Sequence, residues 1–434
     1  MRTNGTGIME GEVKDEKGGI GALLGSCGAV FWPGMMIFGF PGIAGQHWTQ
    51  AFGVDRAAIG QTLFFVLAGT GIFMYLTGRW QARIGHARVT ALGAILCAFS
   101  TWILGGASSM GVVYGCSFLI GVSSAFVYIP TLTVVQFWHP QRRGFATGMV
   151  SMVFGLSAAL MSPVLTSLLL YWGYASTTRM VSLFSLGTGL LAAWFVRMPR
   201  TPPLEPKHAP IAGMIQGMTV REALQTKAFW LLWFTWVLAG AGGIAMVTLS
   251  TAFGHSMGLG VRESVLLLTA FNITNGLGRY LSGHVSDRIG RNRTMSVTFL
   301  AAGCAYGLFS SVEGLLVWSI LAALVGLAFG TLFAVSAPLA SDCFGMKHFG
   351  AIFGLVFTAY GFVAGPFGPW LSGHVLDATG GRFDQVFGYL GVSFFTAAVL
   401  IWFVKKPHRA NMASRGSGKD RAPGTTPSGT YFLV

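Results

Sequence analysis

The run Asn272-Ile-Thr-Asn275-Gly-Leu-Gly-Arg279-Tyr-Leu-Ser-Gly283-His-Val-Ser-Asp287-Arg288-Ile-Gly290-Arg291-Asn-Arg293 organises the reading of this chain. Its first half closes an apolar helix that carries an arginine. Its second half, from Gly283, reads as a short charged turn before the next apolar helix. Placing an arginine in an uncharged membrane span costs about 2.5–3.5 kcal/mol on insertion scales, so Arg279 is a functional candidate by default. Asn275 and Asn272 precede it on the same helical face, so two amides and a guanidinium form one stripe. A guanidinium binds a carboxylate through two parallel N–H bonds, and an asparagine can donate to the same anion. The competing reading has the long side chain reaching back to cytoplasmic water or lipid phosphate.

The rest of the chain supplies the membrane context. Of 434 residues, 53% are hydrophobic and only 10% charged, too little polar surface for a soluble protein of this length. The net charge of +14 would fit a nucleic-acid partner, but the placement of the charges argues against one. Of 28 Lys and Arg, four (Arg56, Arg179, Arg262, Arg382) fall on one side, Arg279 lies within the membrane, and the remaining 23 fall on the other side. That asymmetry puts both termini in the cytoplasm. Residues 1–19 are polar with mixed charge and read as a cytoplasmic segment without a cleavable signal. The five cysteines sit in or at the ends of apolar segments, with no spacing for a metal and no external pair for a disulfide.

A spanning helix takes about 20 mostly apolar residues, and twelve such stretches occur. They lie near 20–45, 58–78, 89–106, 111–135, 144–171, 177–197, 228–253, 263–283, 294–311, 314–341, 348–376 and 385–404. The proline-rich, charged stretch 198–227 reads as a cytoplasmic linker between an N-terminal half (20–197) and a C-terminal half (228–404). The Gly/Ser/Pro/basic tail 405–434 reads as disordered. The two halves repeat. Gly78-Arg-Trp-Gln-Ala82-Arg83-Ile-Gly85 precedes Gly283-His-Val-Ser-Asp287-Arg288-Ile-Gly290 by 205 residues, and Gly144, Gly148, Gly155 and Pro163 recur 206 residues later as Gly350, Gly354, Gly361 and Pro369. Duplicated halves around a long central loop are a transporter pattern, with substrate held between them near the bilayer midplane. Within the spans, away from their ends, there is no Asp, Glu or Lys. Carboxylate pairs, nucleophile–base pairs and phosphate loops are all missing, so enzyme chemistry and cofactors are not expected.

Gly283-x-x-x-Asp287-Arg288-x-Gly290-Arg291-x-Arg293 resembles the inter-helix loop motif of the major facilitator superfamily. The arginine one turn earlier makes the stretch similar to the monocarboxylate transporters and the oxalate/formate antiporters. Trp138-His-Pro-Gln141-Arg142-Arg143-Gly-Phe145-Ala146-Thr-Gly148 is similar to the fifth-helix entry of monocarboxylate transporters. The resemblance implies an all-α, twelve-helix fold of two pseudo-symmetric six-helix bundles, in which Arg279 binds a substrate carboxylate. The departures matter as well. Asn275 stands where animal monocarboxylate transporters carry an acid, their first-helix lysine has no counterpart, and Tyr360 aligns with the eleventh-helix lysine of oxalate antiporters. One fixed positive charge suits one carboxylate, because a second anionic group would be buried unpaired.

Tyr128, Phe333, Phe357 and Tyr360 are candidate site walls, the two tyrosines above the phenylalanines because a buried phenol needs a hydrogen-bond partner. His255 and His374, at the external ends of spans 7 and 11, are the titratable groups to consider for proton coupling. The resemblance further implies that Asp287 caps the N-terminus of span 5 beside Arg142 and Arg143 when the cytoplasmic side is shut. The first-half copy has Ala82 there, and Arg83, Arg88, Arg291 and Arg293 read as plain positive-inside anchors. The expectation is a multi-pass cell-membrane carrier, acting as a monomer, that moves a small monocarboxylate such as lactate, pyruvate or formate with a proton. The rivals are an anion exchanger, a carrier or efflux pump for another organic solute, and a transport-dead sensor on the same scaffold.

Overall fold

In lipid every backbone N–H and C=O must be paired within the chain, which leaves helices as the solution for spans of this composition. The computed structural model describes residues 5–199 and 217–407; the tail from 408 and linker residues 200–216 lie outside the described residues. Fourteen α-helices follow in order: α1 (Gly5–Phe38), α2 (Phe40–Phe52), α3 (Arg56–Ile84), α4 (His86–Leu104), α5 (Met110–Trp138), α6 (Arg143–Phe195), α7 (Val220–Leu224), α8 (Lys227–Ser256), α9 (Val261–Ile289), α10 (Arg291–Leu308), α11 (Leu315–Phe344), α12 (Phe349–Thr358), α13 (Gly365–Ala378) and α14 (Phe383–Trp402). A π-helical segment, Ala359–Ala364, joins α12 to α13.

Among the described residues nine helices are long and apolar enough to cross a membrane, yet the fold has twelve spans. α6 counts for two: its 53 residues would stretch about 80 Å, over twice the roughly 30 Å hydrocarbon layer. It breaks at Gly173, whose φ of 75° leaves the helical region. α9 and α10 complete the twelve but fall short on hydropathy. α9 holds Asn272, Asn275 and Arg279, and α10 opens with Arg291-Asn-Arg293.

The repeat is written into the backbone. The turns after α3 and α9 are made by Gly85 (φ 98°, ψ 145°) and Gly290 (φ 98°, ψ 150°), the same left-handed kink 205 residues apart. One expectation is corrected here. Gly283 to Ile289 is not a turn but the last two turns of α9, and Gly290 alone reverses the chain. Glycine weakens a helix, but Gly283 is needed for contact: a Cβ there would lie 2.2 Å from the carbonyl oxygen of Gly144.

The halves meet along two equivalent seams. In the first, α6 lies against α9 through Gly144/Gly283 and Gly148/Arg279; in the second, α12 lies against α3 through Gly350/Gly78 and Gly354/Met74. Small residues let the backbones approach this closely. The face turned to lipid carries exposed leucine, valine and tryptophan, among them Leu170, Leu316, Val297 and Trp402.

Candidate functional site between the halves

Arg279 sits ten residues, about 15 Å, from the end of α9, and it does not reach for water. It is 1% exposed. Glycines from both neighbouring helices form its slot: added Cβ atoms would lie 3.0 Å from the guanidinium carbon at Gly155 and 3.3 Å from Cγ at Gly330. The guanidinium donates from Nη1 to the Ser151 carbonyl at 3.0 Å, and from Nη2 and Nε to Asn275 Oδ1 at 3.3 and 3.4 Å. Its carbon lies 4.5 Å from the centre of the Phe333 ring, a cation–π contact. Among the described residues no carboxylate pairs with it.

The aromatic wall assembles around this group. Tyr128 shares a hydrogen bond with Ser151 Oγ at 2.9 Å, and its ring lies 6.4 Å from Phe357 and 5.1 Å from Phe154. Phe333, Phe357 and Tyr360 pack mutually with centroids 5.3–6.0 Å apart, and Trp236 backs Phe357 at 5.1 Å. Tyr360 lies in the π-helical segment, a departure from α-geometry often found at functional sites. Together with Met74, Thr70 and Ile37 these rings enclose a cavity of about 30 Å³, room for a water or two. Asn275 joins the arginine, whereas Asn272, about two turns earlier on α9, is exposed. The sequence reading missed Ser151, Phe154 and Met74. The internal offsets point to two of them, since Met74 is the counterpart of Arg279 and Phe154 that of Tyr360.

On the cytoplasmic side Asp287 accepts hydrogen bonds from the backbone N–H groups of Gly144 (2.9 Å) and Phe145 (2.8 Å), the opening turn of α6. This is an anion on the positive end of a helix dipole. Arg143 donates to Ser341 and Asp342 on α11, at 3.2 and 3.3 Å. Arg291 joins Asp287 to Asp342. Arg291 is therefore no plain anchor, and Asp342 belongs to the cluster unannounced. Arg142 is exposed and its N–H bonds the His139 carbonyl. Burial holds the His139 imidazole below its ordinary value, the Gly19 carbonyl opposes this, and Arg142 reinforces it. His255 and His374 are exposed at the external ends of α8 and α13, His374 stacked on Trp370, and the structure does not bring either to Arg279.

The family profile described as Major Facilitator Superfamily matches residues 24–309 and 243–430. The chain belongs to the major facilitator superfamily. This superfamily member is a multi-pass carrier of the cell membrane that works within the lipid bilayer, and it is not an enzyme. It is 27% identical over 314 residues to the oxalate:formate antiporter of Oxalobacter formigenes, covering 72% of this chain and 73% of that protein. It is 24% identical over 370 residues to an agnestins efflux protein of Paecilomyces divaricatus, covering 83% and 80%. Its fold is similar to the crystal structure of FucP in the outward conformation, with a TM-score of 0.68 at 15% identity over 89% of this chain and 99% of that one.

Proposed function

We propose that this superfamily carrier moves small monocarboxylates of the lactate, pyruvate or formate class, as a monomer and coupled to protons. The observation that carries the reading is Arg279: a fully buried cation with no acidic partner among the described residues. An unpaired buried charge is costly, and a substrate carboxylate in the central cavity would supply the missing countercharge. Ser151 and Asn275 hold the fork in place and leave N–H groups over. Tyr360 would add a phenol donor, and the phenylalanines would take the short apolar remainder.

The similarity to an oxalate:formate antiporter supports an organic anion as cargo. Arg279 lies against Phe333 of the cavity wall, and neither Met74, its repeat counterpart, nor Tyr360 adds a second cation to the lining, which favours one carboxylate over two. With the cavity near 30 Å³ and the Asp287 cap made, this conformation is read as shut on the cytoplasmic side with the binding site collapsed. Domain bounds of 20–197 and 228–404 follow the internal repeat. His255 and His374 are the proposed proton-coupling groups.

The test is uptake of labelled lactate, pyruvate, formate and oxalate into proteoliposomes, with and without an inward proton gradient. Saturable uptake of a monocarboxylate, absent in Arg279→Gln, is expected. Equal uptake by Arg279→Gln sinks the reading, and preference for oxalate favours an anion exchanger instead.

A further inference from the structure

The two seams are built alike but charged differently. At the α6/α9 seam two carboxylates, Asp287 and Asp342, meet Arg143, Arg291 and the α6 N-terminus. Their counterparts at the α3/α12 seam are Ala82 and Gln136, so both acids are replaced by uncharged residues. Arg143 and Arg291 are replaced as well, by Phe349 and His86, but other basic residues gather there. A cavity of about 710 Å³ opens at this seam, and Arg79, Arg83, Arg221 and Lys347 line it together with His86 and His348. Among the described residues no acidic residue lines it and none of the four fixed cations is in an ion pair.

The cavity also receives the first turn of α12. Its N-cap, His348, makes no side-chain cap, and Gly350 and Ala351, which line the cavity, are the counterparts of Gly144 and Phe145, whose N–H groups Asp287 caps at the other seam. First-turn N–H groups have no partner inside their own helix. Gln81 lies directly on this turn: a Cβ at Gly350 would collide with its Nε2. The Gln81 side chain is 4% exposed, lines the cavity, and its Oε1 has no hydrogen-bond partner. Its Nε2 donates to Thr133 Oγ1 at 3.2 Å, and turned over, the amide would present N–H₂ where Oε1 now lies.

We infer that this cavity binds an anion of the phosphate class from the cytoplasmic side, which takes the place that a carboxylate at residue 82 would fill. Free helix N–H groups and a positive dipole end form a ready anion site, and four cations on surrounding elements match more than one negative charge. A phosphate can come free in the cytosol or as the headgroup of an anionic phospholipid. Both present the same oxygens to the same residues. The site lies on the other seam from Arg279 and does not depend on which substrate the central cavity takes.

The test uses the full-length purified protein. One arm follows its thermal midpoint in neutral detergent with inorganic phosphate against chloride at matched ionic strength. The other compares nanodiscs of phosphatidylcholine alone with nanodiscs that also contain phosphatidylglycerol. Each arm includes Ala82→Asp, which puts an internal carboxylate in the site, the pair Arg83→Gln/Lys347→Gln, Arg88→Gln as an exposed cytoplasmic control, and Arg279→Gln. A saturable rise in midpoint with phosphate is expected in the native protein, Arg88→Gln and Arg279→Gln. The apparent affinity should fall by roughly tenfold or more in the double variant, as charge-assisted contacts are lost, and in Ala82→Asp. Stabilisation confined to phosphatidylglycerol discs, with the same pattern of variants, assigns the phosphate to a lipid. No stabilisation in either arm, or stabilisation equal in Ala82→Asp, the double variant and the native protein, overturns the inference.

Discussion

Replacing Asp287 by Asn removes one charge from the α6/α9 seam and little volume. The carboxylate holds two cross-seam hydrogen bonds, to the N–H groups of Gly144 and Phe145, and one ion pair with Arg291. These contacts do not count equally. Arg291 sits on α10, four residues after Asp287 and in the same half, so that pair survives when the halves rock apart. Of the contacts Asp287 makes, the Gly144 and Phe145 bonds are the ones that cross between the halves and are lost when the cytoplasmic seam opens. An asparagine oxygen keeps one of them and loses the charge on the helix terminus. In a partly buried geometry that charge contributes about 1–2 kcal/mol, so the closed state should lose roughly 5–30-fold in relative population. The assay is cytoplasmic maleimide labelling of a single reporter cysteine at Thr147, which is fully buried here, in a background without the five native cysteines. Labelling should rise in Asp287→Asn while an external reporter falls. Arg143→Gln should act in the same direction through Asp342, and because Arg291 links the two acids the pair of substitutions should be non-additive. Unchanged labelling on both faces would refute the latch and leave the cluster a static anchor.

Four further outcomes follow from the same geometry. Arg279→Lys keeps the charge but loses the fork that reaches Ser151 and Asn275 at once, so carboxylate uptake should fall by roughly 10–100-fold while the purified protein keeps its monodisperse profile on gel filtration. Tyr360→Lys should raise the affinity for oxalate relative to formate in competition binding; an unchanged ratio means that residue 360 does not face the substrate. Gly144→Ala places a Cβ 2.3 Å from the Gly283 carbonyl oxygen, and overpacking of about 1–3 kcal/mol should open the cytoplasmic seam and raise Thr147 labelling. His255→Gln and His374→Gln should each reduce gradient-driven uptake more than counterflow exchange if these groups carry the proton, and an equal effect on both modes removes them from that role.

The spans, their number and the repeat were legible in the sequence because they rest on local quantities. A run of apolar residues predicts a span wherever it is placed, and glycines at a fixed offset mark equivalent turns, as Gly85 and Gly290 show. The pairing of Asn275 with Arg279 was legible for the same reason, since positions one helical turn apart share a face, whereas Asn272, two turns away, is exposed. The π-helical segment around Tyr360 and the helical course of Gly283 to Ile289 were not legible. A glycine inside a charged stretch reads as a turn until the helix against which it packs is known.

What tertiary structure alone decided is which residues meet across the seams. That Arg279 is buried rather than reaching for water depends on Gly155 of α6 and Gly330 of α11 leaving a slot beside it, and neither glycine is near it in sequence. That Arg291 joins Asp287 to Asp342 depends on the ends of α9, α10 and α11 converging. That the matching seam carries cations without acids becomes a cavity only because α3, α7 and α12 come together around Ala82. Helical periodicity determines which side chains share a face, but the rotation of one helix against another is set by packing summed over the whole bundle, and no single stretch of sequence contains it.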